Sequence, residues 1–367
     1  MELSFKNKET KECILSRSKT ILPIVTDENK SYLFSGDNFE IMSALLNGKK
    51  GFIDLIYIDP PFNTNQVFCI SEDRSNAISR RKNGLVVYND SMIDDEYIKF
   101  MYDRFVLMYE LLSDEGSIYV HIDTKMGHYF KVILDEIFGT GNFKNDITRI
   151  KSNPKNFERK AYGNEKDMIL FYSKNSQKNI WNEVKISLNK KELIKKFTKT
   201  DLDGRRYTTI PLHAPGETVN GVTGMSWRGM FPPSGRHWRT TPAEFDKMDN
   251  LGLIEWSRTG NPRIKRYADE HTGKKIQDVW EYKDPQNPSY PTQKNDEMIE
   301  LIIEQSSREN SVVMDCFAGG GTTLLAAAKL GRKFIGIDSS DIAINVIEKR
   351  LNENKINYNF KSESELC

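Results

Sequence analysis

Long apolar runs are missing from this 367-residue chain, and no stretch approaches the length of a membrane-spanning helix. The polar opening, Met1 to Asn7, lacks the apolar centre of a secretory signal. Cysteine is scarce: Cys13, Cys69, Cys316 and Cys367 are scattered without paired spacing. That argues against both a disulfide framework and a cysteine-based zinc site. The five histidines form no H-x-x-x-H pair, so no bound metal is expected. An excess of one charge is lacking too, with 53 basic and 52 acidic residues for a net +1. The expectation is a soluble cytoplasmic protein, with 38% hydrophobic residues supplying a core.

The charge balance hides a segregation. Residues 1–175 hold 24 basic and 26 acidic groups, 176–280 hold 19 and 12, and 281–367 hold 10 and 14. The middle is therefore basic and both flanks are acidic. It also differs in texture: between Pro211 and Pro291 lie many Gly and Pro residues and four tryptophans, Trp227, Trp238, Trp256 and Trp280. That pattern reads as an irregular inserted domain with short strands, since a disordered linker has no use for the aromatics.

The flanks read as α/β structure. Residues 53–58 form a short apolar run, fit for a buried strand, ending at Asp59-Pro60-Pro61. Ile98, Met101, Phe105, Met108 and Leu112 recur at helical spacing behind Asp94 and Asp95. A strand at 117–122 and a helix at 125–138, stopped by Gly139, follow. Near the C-terminus a strand at 312–316, the turn Gly319-Gly320-Gly321, a helix at 322–330 and a strand at 334–338 make a βαβ unit.

Two of these turns offer chemistry. Asp59-Pro60-Pro61-Phe62 presents a carboxylate, a carbonyl held outward by two prolines and an aromatic ring within four residues. Such a set suits an aromatic exocyclic amine: two acceptors take its N–H groups while the ring stacks on the base. As an isolated tetrapeptide it reads equally well as a strand-ending turn. The run Asp315-Cys316-Phe317-Ala318-Gly319-Gly320-Gly321-Thr322-Thr323 joins strand to helix, with Asp338 closing the next strand. Glycines there admit a ligand to the backbone, and the acid is placed for a ribose. A nicotinamide dinucleotide competes as the ligand, but Leu324 stands where G-x-G-x-x-G has its third glycine. With no lysine after the glycines, a phosphate-cradling P-loop is excluded. A nucleoside lacking a pyrophosphate fits better.

The order of these features resembles that of the β group of S-adenosylmethionine-dependent DNA amino-methyltransferases, which includes the modification subunits of restriction-modification systems. The resemblance is carried by Gly36-Asp37-Asn38, Ile56-Tyr57-Ile58-Asp59-Pro60-Pro61-Phe62-Asn63-Thr64, Tyr290-Pro291-Thr292-Gln293-Lys294, the Asp315–Thr323 turn and Phe334-Ile335-Gly336-Ile337-Asp338. It implies a Rossmann-like fold with a mixed seven-stranded sheet, permuted motif order and an inserted α+β recognition domain. Residues 168–172 would belong to its antiparallel hairpin. It implies catalysis by Asp59, Pro60, Pro61 and Phe62. S-adenosylmethionine would lie against Asp37, Thr292, Lys294, Asp315, Phe317, Gly319, Gly321, Thr322 and Asp338. The family more often carries Tyr at the position of Phe62, and Glu at that of Asp338. Asp rather than Ser at position 59 favours adenine N6 over cytosine N4 as the target.

A base inside duplex DNA is reached only by leaving the stack, so binding elsewhere must supply the cost. The middle supplies candidates: Lys190, Lys191, Lys195, Lys196, Lys199, Arg205 and Arg206 for phosphates, and Arg228, Arg236, Trp238 and Arg239 for bases. Lys151 and Lys155 sit in a basic loop beside the catalytic half. The expected organisation is two methyltransferase halves, 1–175 and 281–367, around a target-recognition domain at 176–280. The expected function is site-specific methylation of adenine N6 in duplex DNA by base flipping. The alternatives are an N4-cytosine enzyme, a non-catalytic DNA-binding subunit, or an enzyme acting on RNA. Partners beyond DNA are a second copy of the chain or a restriction or defence-system protein, with no membrane and a nucleoid association through DNA.

Overall fold

The computed structural model describes residues 2–61, 94–152, 160–285 and 293–365, with the backbone of two strands at Gln66–Ile70 and Leu85–Asp90. Phe62, Lys155 and Thr292, with Tyr290 and Pro291, lie outside the described residues. The chain divides into two compact units, one made of 1–184 with 277–367 and the other of 185–276.

Among the described residues, nine strands of the larger unit form one sheet. Their spatial order is Val279–Glu281, Phe143–Ile150, Lys166–Ser173, Leu112–Ile122, Ile53–Ile58, Val312–Asp315, Lys333–Asp338, Tyr32–Ser35 and Asn359–Ser362. Only Lys166–Ser173 runs antiparallel to its neighbours. All the other pairings are parallel. The seven inner strands match the expected mixed sheet. The two additions are short edge strands, Val279–Glu281 and Asn359–Ser362, too brief to show a strand pattern in sequence.

The central strands are buried on both faces, which is why 53–58 reads as a continuous apolar run. Ile56 and Ile58 point into the core shared with helices Asn38–Gly48, Asp94–Leu111 and Gly127–Phe138. Leu55 and Tyr57 take the opposite face, where Tyr119 on the next strand reaches Ser306 of helix Asp296–Ser306 at 2.8 Å. Gly139, in a left-handed conformation at φ +86, ends the helix Gly127–Phe138.

The smaller unit begins nine residues later and ends four residues earlier than the 176–280 expected. Residues 180–182 are tied to the larger unit: the Ile180 amide donates to Glu115 and the Asn182 amide to Gln305. Trp280 lies in the edge strand Val279–Glu281 and is buried there, so it is no part of the insert. Inside 185–276, the strands Ile254–Trp256, Pro262–Tyr267, Arg206–Pro211 and Lys199–Thr200 form an antiparallel sheet. Strands Lys185–Ile186 and Lys274–Lys275 pair across its two ends, so the chain enters and leaves side by side. Its small core gathers Leu212, Trp227, Trp238, Phe245, Ile254 and Ile264.

Candidate active site

Because Ile53–Ile58, Val312–Asp315, Lys333–Asp338 and Tyr32–Ser35 are parallel neighbours, their C-terminal ends open on one edge of the sheet. Asp59, the Gly319–Gly321 turn, Asp338 and Gly36-Asp37 therefore leave the sheet together. This is where open α/β sheets hold ligands.

Asp59 follows directly on its strand, and its two carboxylate oxygens differ. Oδ2 accepts from the Lys294 ammonium just ahead of helix Asp296–Ser306. Oδ1 is buried with no hydrogen-bond partner among the described residues. A buried carboxylate oxygen without a donor is costly, so one such atom at a strand end is an acceptor held ready. Pro60 is buried, and the Pro61 carbonyl is fixed by the Tyr97 hydroxyl. Lys294, expected against the cofactor, also places its ammonium on the catalytic candidate.

The glycine turn is built from beneath by Asp315. Its carboxylate accepts from Thr323 Oγ1 at 2.6 Å and from the Phe317 amide at 3.1 Å. Burial pushes this carboxyl up to about 7, with Asp59 and Asp338 adding to the effect. Asp315 was expected to touch the cofactor. Its side chain is buried beneath the turn, so it shapes the loop. Gly319 at φ +51 and Gly321 at φ +74 make the left-handed turns that lead into helix Thr322–Lys329. Thr322 is buried at that helix start, where Arg350 approaches its hydroxyl at 3.4 Å. Asp338 accepts from the Gly319 amide at 2.7 Å and the Ser340 amide at 2.9 Å, and burial raises its carboxyl too.

Asp37 caps helix Asn38–Gly48 through the Phe39 and Glu40 amides, and its own amide donates to Glu363 at 2.7 Å. Its carboxylate is about half exposed and pairs with Arg104 at 2.9 Å. Arg104 is only 6% exposed. Its guanidinium also donates to Asn38 Oδ1 and to the Phe100 carbonyl, and lies 3.4 Å from the centre of the Phe100 ring. Asn38 in turn donates to the Cys316 carbonyl at 2.8 Å, while Phe100 packs near Phe317. Arg104 thus joins the Asp37 turn to the glycine turn. Sequence reasoning passed it over, although a charge within the apolar stripe Tyr97, Met101, Met108, Leu111 was a signal of a buried, partnered cation.

A second buried polar group lies behind Asp59. The Tyr57 hydroxyl is 2.9 Å from His121 Nδ1, and His121 Nε2 is 3.3 Å from Asp167 Oδ2. Lys151 pairs with the other Asp167 oxygen at 2.6 Å, and Arg149 approaches at 3.5 Å. Lys151, expected on DNA, is therefore an internal counter-ion: a carboxylate as buried as Asp167 requires a cation beside it.

Within the insert, the DNA-facing expectations separate by burial. Trp238 is 4% exposed and donates its indole N–H to the Met225 carbonyl. It is a core residue, which corrects its assignment to DNA: the insert needs its large rings for its own interior. Arg228 is paired with Asp249 at 2.6 Å and Asp246 at 3.4 Å. Arg236 and Arg239 flank Trp238 and are exposed, the former beside His213 and the latter donating to the Pro211 carbonyl. Among the described residues, no group of His, Cys, Asp and Glu could hold a metal ion.

A family model described as DNA methylase matches residues 53–349. The type II methyltransferase M.EcaI of Enterobacter cloacae is 40% identical over 91% of this chain and 70% of its own length. The Mod subunit of the type III restriction-modification enzyme StyLTI of Salmonella typhimurium is 25% identical over 84% of this chain and 52% of its own length. The chain thus spans about half the length of that Mod subunit. Among solved structures, M1.HpyAVI aligns with a TM-score of 0.46 at 17% identity, over 88% of this chain and 98% of its own. The match across most of the chain, with the strand-end acid and the glycine turn on one sheet edge, means that this chain belongs to the N6/N4 family of S-adenosylmethionine-dependent DNA methylases.

Proposed function

We propose that the protein methylates the N6 amine of adenine at a specific site in duplex DNA, and that 185–276 is its DNA-reading insert. The observation that carries the reading is the buried Asp59 Oδ1, without a hydrogen-bond partner among the described residues, at the sheet edge beside the glycine turn. An exocyclic amine has its lone pair delocalised into the ring. Asp59 Oδ1 accepting one N–H and the Pro60 carbonyl accepting the other favour a tetrahedral nitrogen. Phe62 would stack on the base. Positioning and desolvation carry most of the acceleration, and no covalent enzyme intermediate is needed.

The residues of the glycine turn fit S-adenosylmethionine. The left-handed Gly319 and Gly321 shape the turn that a ligand would meet, and Asp338 presents a carboxylate suited to ribose hydroxyls. Asp37 and Phe317 complete the proposed contacts, with Thr292 and Lys294 from the preceding segment. When bound, that group supplies an electrophilic methyl on a sulfonium. The insert carries 18 basic and 10 acidic residues, a charge suited to phosphates, with exposed Arg236 and Arg239 as base- or phosphate-contacting side chains. Arg228 and Lys151 remain secondary candidates for DNA contact, since both are already ion-paired.

Expression in a host free of DNA methylation, followed by mapping of modified bases, tests the reading. N6-methyladenine at one recurring sequence is the expected result. N4-methylcytosine would reassign the target base, and unmodified DNA from a host containing folded protein would overturn the function.

A further inference from the structure

The Tyr57–His121–Asp167 chain lies behind the proposed catalytic acid, and the methyl-transfer chemistry makes no direct use of it. All three side chains are buried, with His121 fully so. Burial lowers the tendency of His121 to take a second proton, even against its bond to Asp167. Burial would raise the Asp167 carboxyl, but His121 and the Lys151 cation hold it well below the usual carboxylate range. Burial also keeps Tyr57 a neutral phenol. A neutral imidazole has one N–H, and the ionised Asp167 has none to give. The proton must therefore sit on Nε2, facing Asp167 at 3.3 Å. That leaves Nδ1 as an acceptor, and the Tyr57 O–H donates to it at 2.9 Å.

Both hydrogen bonds run in one direction, away from Asp59. Tyr57 is two residues before Asp59 on the same strand, and the Asp59 charge acts on both Tyr57 and His121, so these groups share one environment. The neighbouring phenol proton is committed elsewhere while Asp59 Oδ1 stays buried without a donor among the described residues. We infer that Tyr57, His121 and Asp167 are positioning residues whose fixed hydrogen-bond polarity keeps Asp59 Oδ1 open as the acceptor for the substrate amine. This rests on the proposed role of Asp59.

Asp167→Asn tests it. Lys151 holds one Asp167 oxygen at 2.6 Å, closer than Arg149 stands to the other at 3.5 Å, so the amide oxygen takes the Lys151 side and the NH₂ faces His121. Nε2 then becomes an acceptor, Nδ1 carries the proton, and the Tyr57 O–H is released towards Asp59. The expected result on full-length protein is a fall in kcat of at least tenfold, with the dissociation constants for S-adenosylmethionine and duplex DNA within twofold of wild type. The double variant Tyr57→Phe/Asp167→Asn, having no phenol proton, should recover to within threefold of Tyr57→Phe. Wild-type kcat in Asp167→Asn, or a double variant no faster than Asp167→Asn, would overturn the inference. A merely structural role predicts the latter.

Should Asp167→Asn fail to fold, nitrogen NMR of the wild-type His121 ring decides instead. A neutral ring protonated on Nε2 between pH 6 and 8 supports the polarity, and a proton on Nδ1 overturns it. The ring measurement requires no turnover, and wild-type inactivity on DNA would count against the proposed function alone.

Discussion

Replacing Arg104 with Ala removes a side chain that touches the Asp37 turn and, through Asn38, the glycine turn. Hydrogen bonds to three partners are lost, Asp37, Asn38 and the Phe100 carbonyl, together with stacking on Phe100. Their orphaned partners are not equivalent. The Asp37 carboxylate is about half exposed and can be hydrated, so its loss costs little. Asn38 is buried, and an unsatisfied polar atom there costs roughly 1–3 kcal/mol, with the cation–ring contact adding about 0.5–2 kcal/mol. A net destabilisation of about 2–3 kcal/mol lowers Tm by roughly 3–6 °C in a unit of this size. Asn38 then holds the Cys316 carbonyl less firmly, and the cofactor must order the loop as it binds. About 1 kcal/mol of that cost weakens S-adenosylmethionine roughly fivefold. Thermal melting and calorimetric titration measure the two effects. Wild-type values for both would refute the idea that Arg104 couples the turns.

Asp315 predicts a pH dependence with a definite sign. Its folded carboxyl, raised to about 7, holds a proton that the unfolded chain releases near the ordinary value of about 3.9. The folded state is therefore favoured at low pH, and stability falls as pH rises from about 4 to about 7, by up to about 4 kcal/mol, then levels. Asp315→Asn should flatten this slope, so its melting temperature gains on wild type as pH rises; parallel curves would refute it. In the insert, Trp238→Ala should destabilise by about 3–5 kcal/mol, seen as an early, separate unfolding step. Arg236→Ala should leave melting unchanged yet make the slope of log affinity against log salt for DNA shallower by about 1. An unaltered slope would remove Arg236 from the DNA-contacting set.

Legibility in the sequence followed the strength of local pattern. The strand at Ile53–Ile58 is a run of apolar residues because both its faces are covered, and Asp296–Ser306 is bounded by a side-chain cap at Asn295. Both are visible without tertiary information. The insert boundaries are not, because residues 176–184 are mostly polar and are held to the larger unit by backbone bonds that composition cannot reveal. The catalytic candidate and the glycine turn are contiguous motifs, and their order along the chain carried the family resemblance. The groups behind them are assembled from distant segments: Arg104 meets Asp37, and His121 meets Tyr57 and Asp167. Each is one polar residue in an apolar strand or helix, which marks a buried group but does not name its partner. Trp238 misled for the converse reason, since a tryptophan between arginines reads as a nucleic-acid contact whether its ring faces outward or in.

If Asp59 Oδ1 accepts the amine to be methylated, methyl transfer depends on that carboxylate. The most direct test is single-turnover transfer of a labelled methyl group from S-adenosylmethionine to target duplex DNA by Asp59→Ala, with cofactor affinity measured in parallel. Transfer should be slower by at least about 100-fold, with the cofactor dissociation constant within twofold of wild type. Transfer within a few-fold of wild type would contradict that dependence.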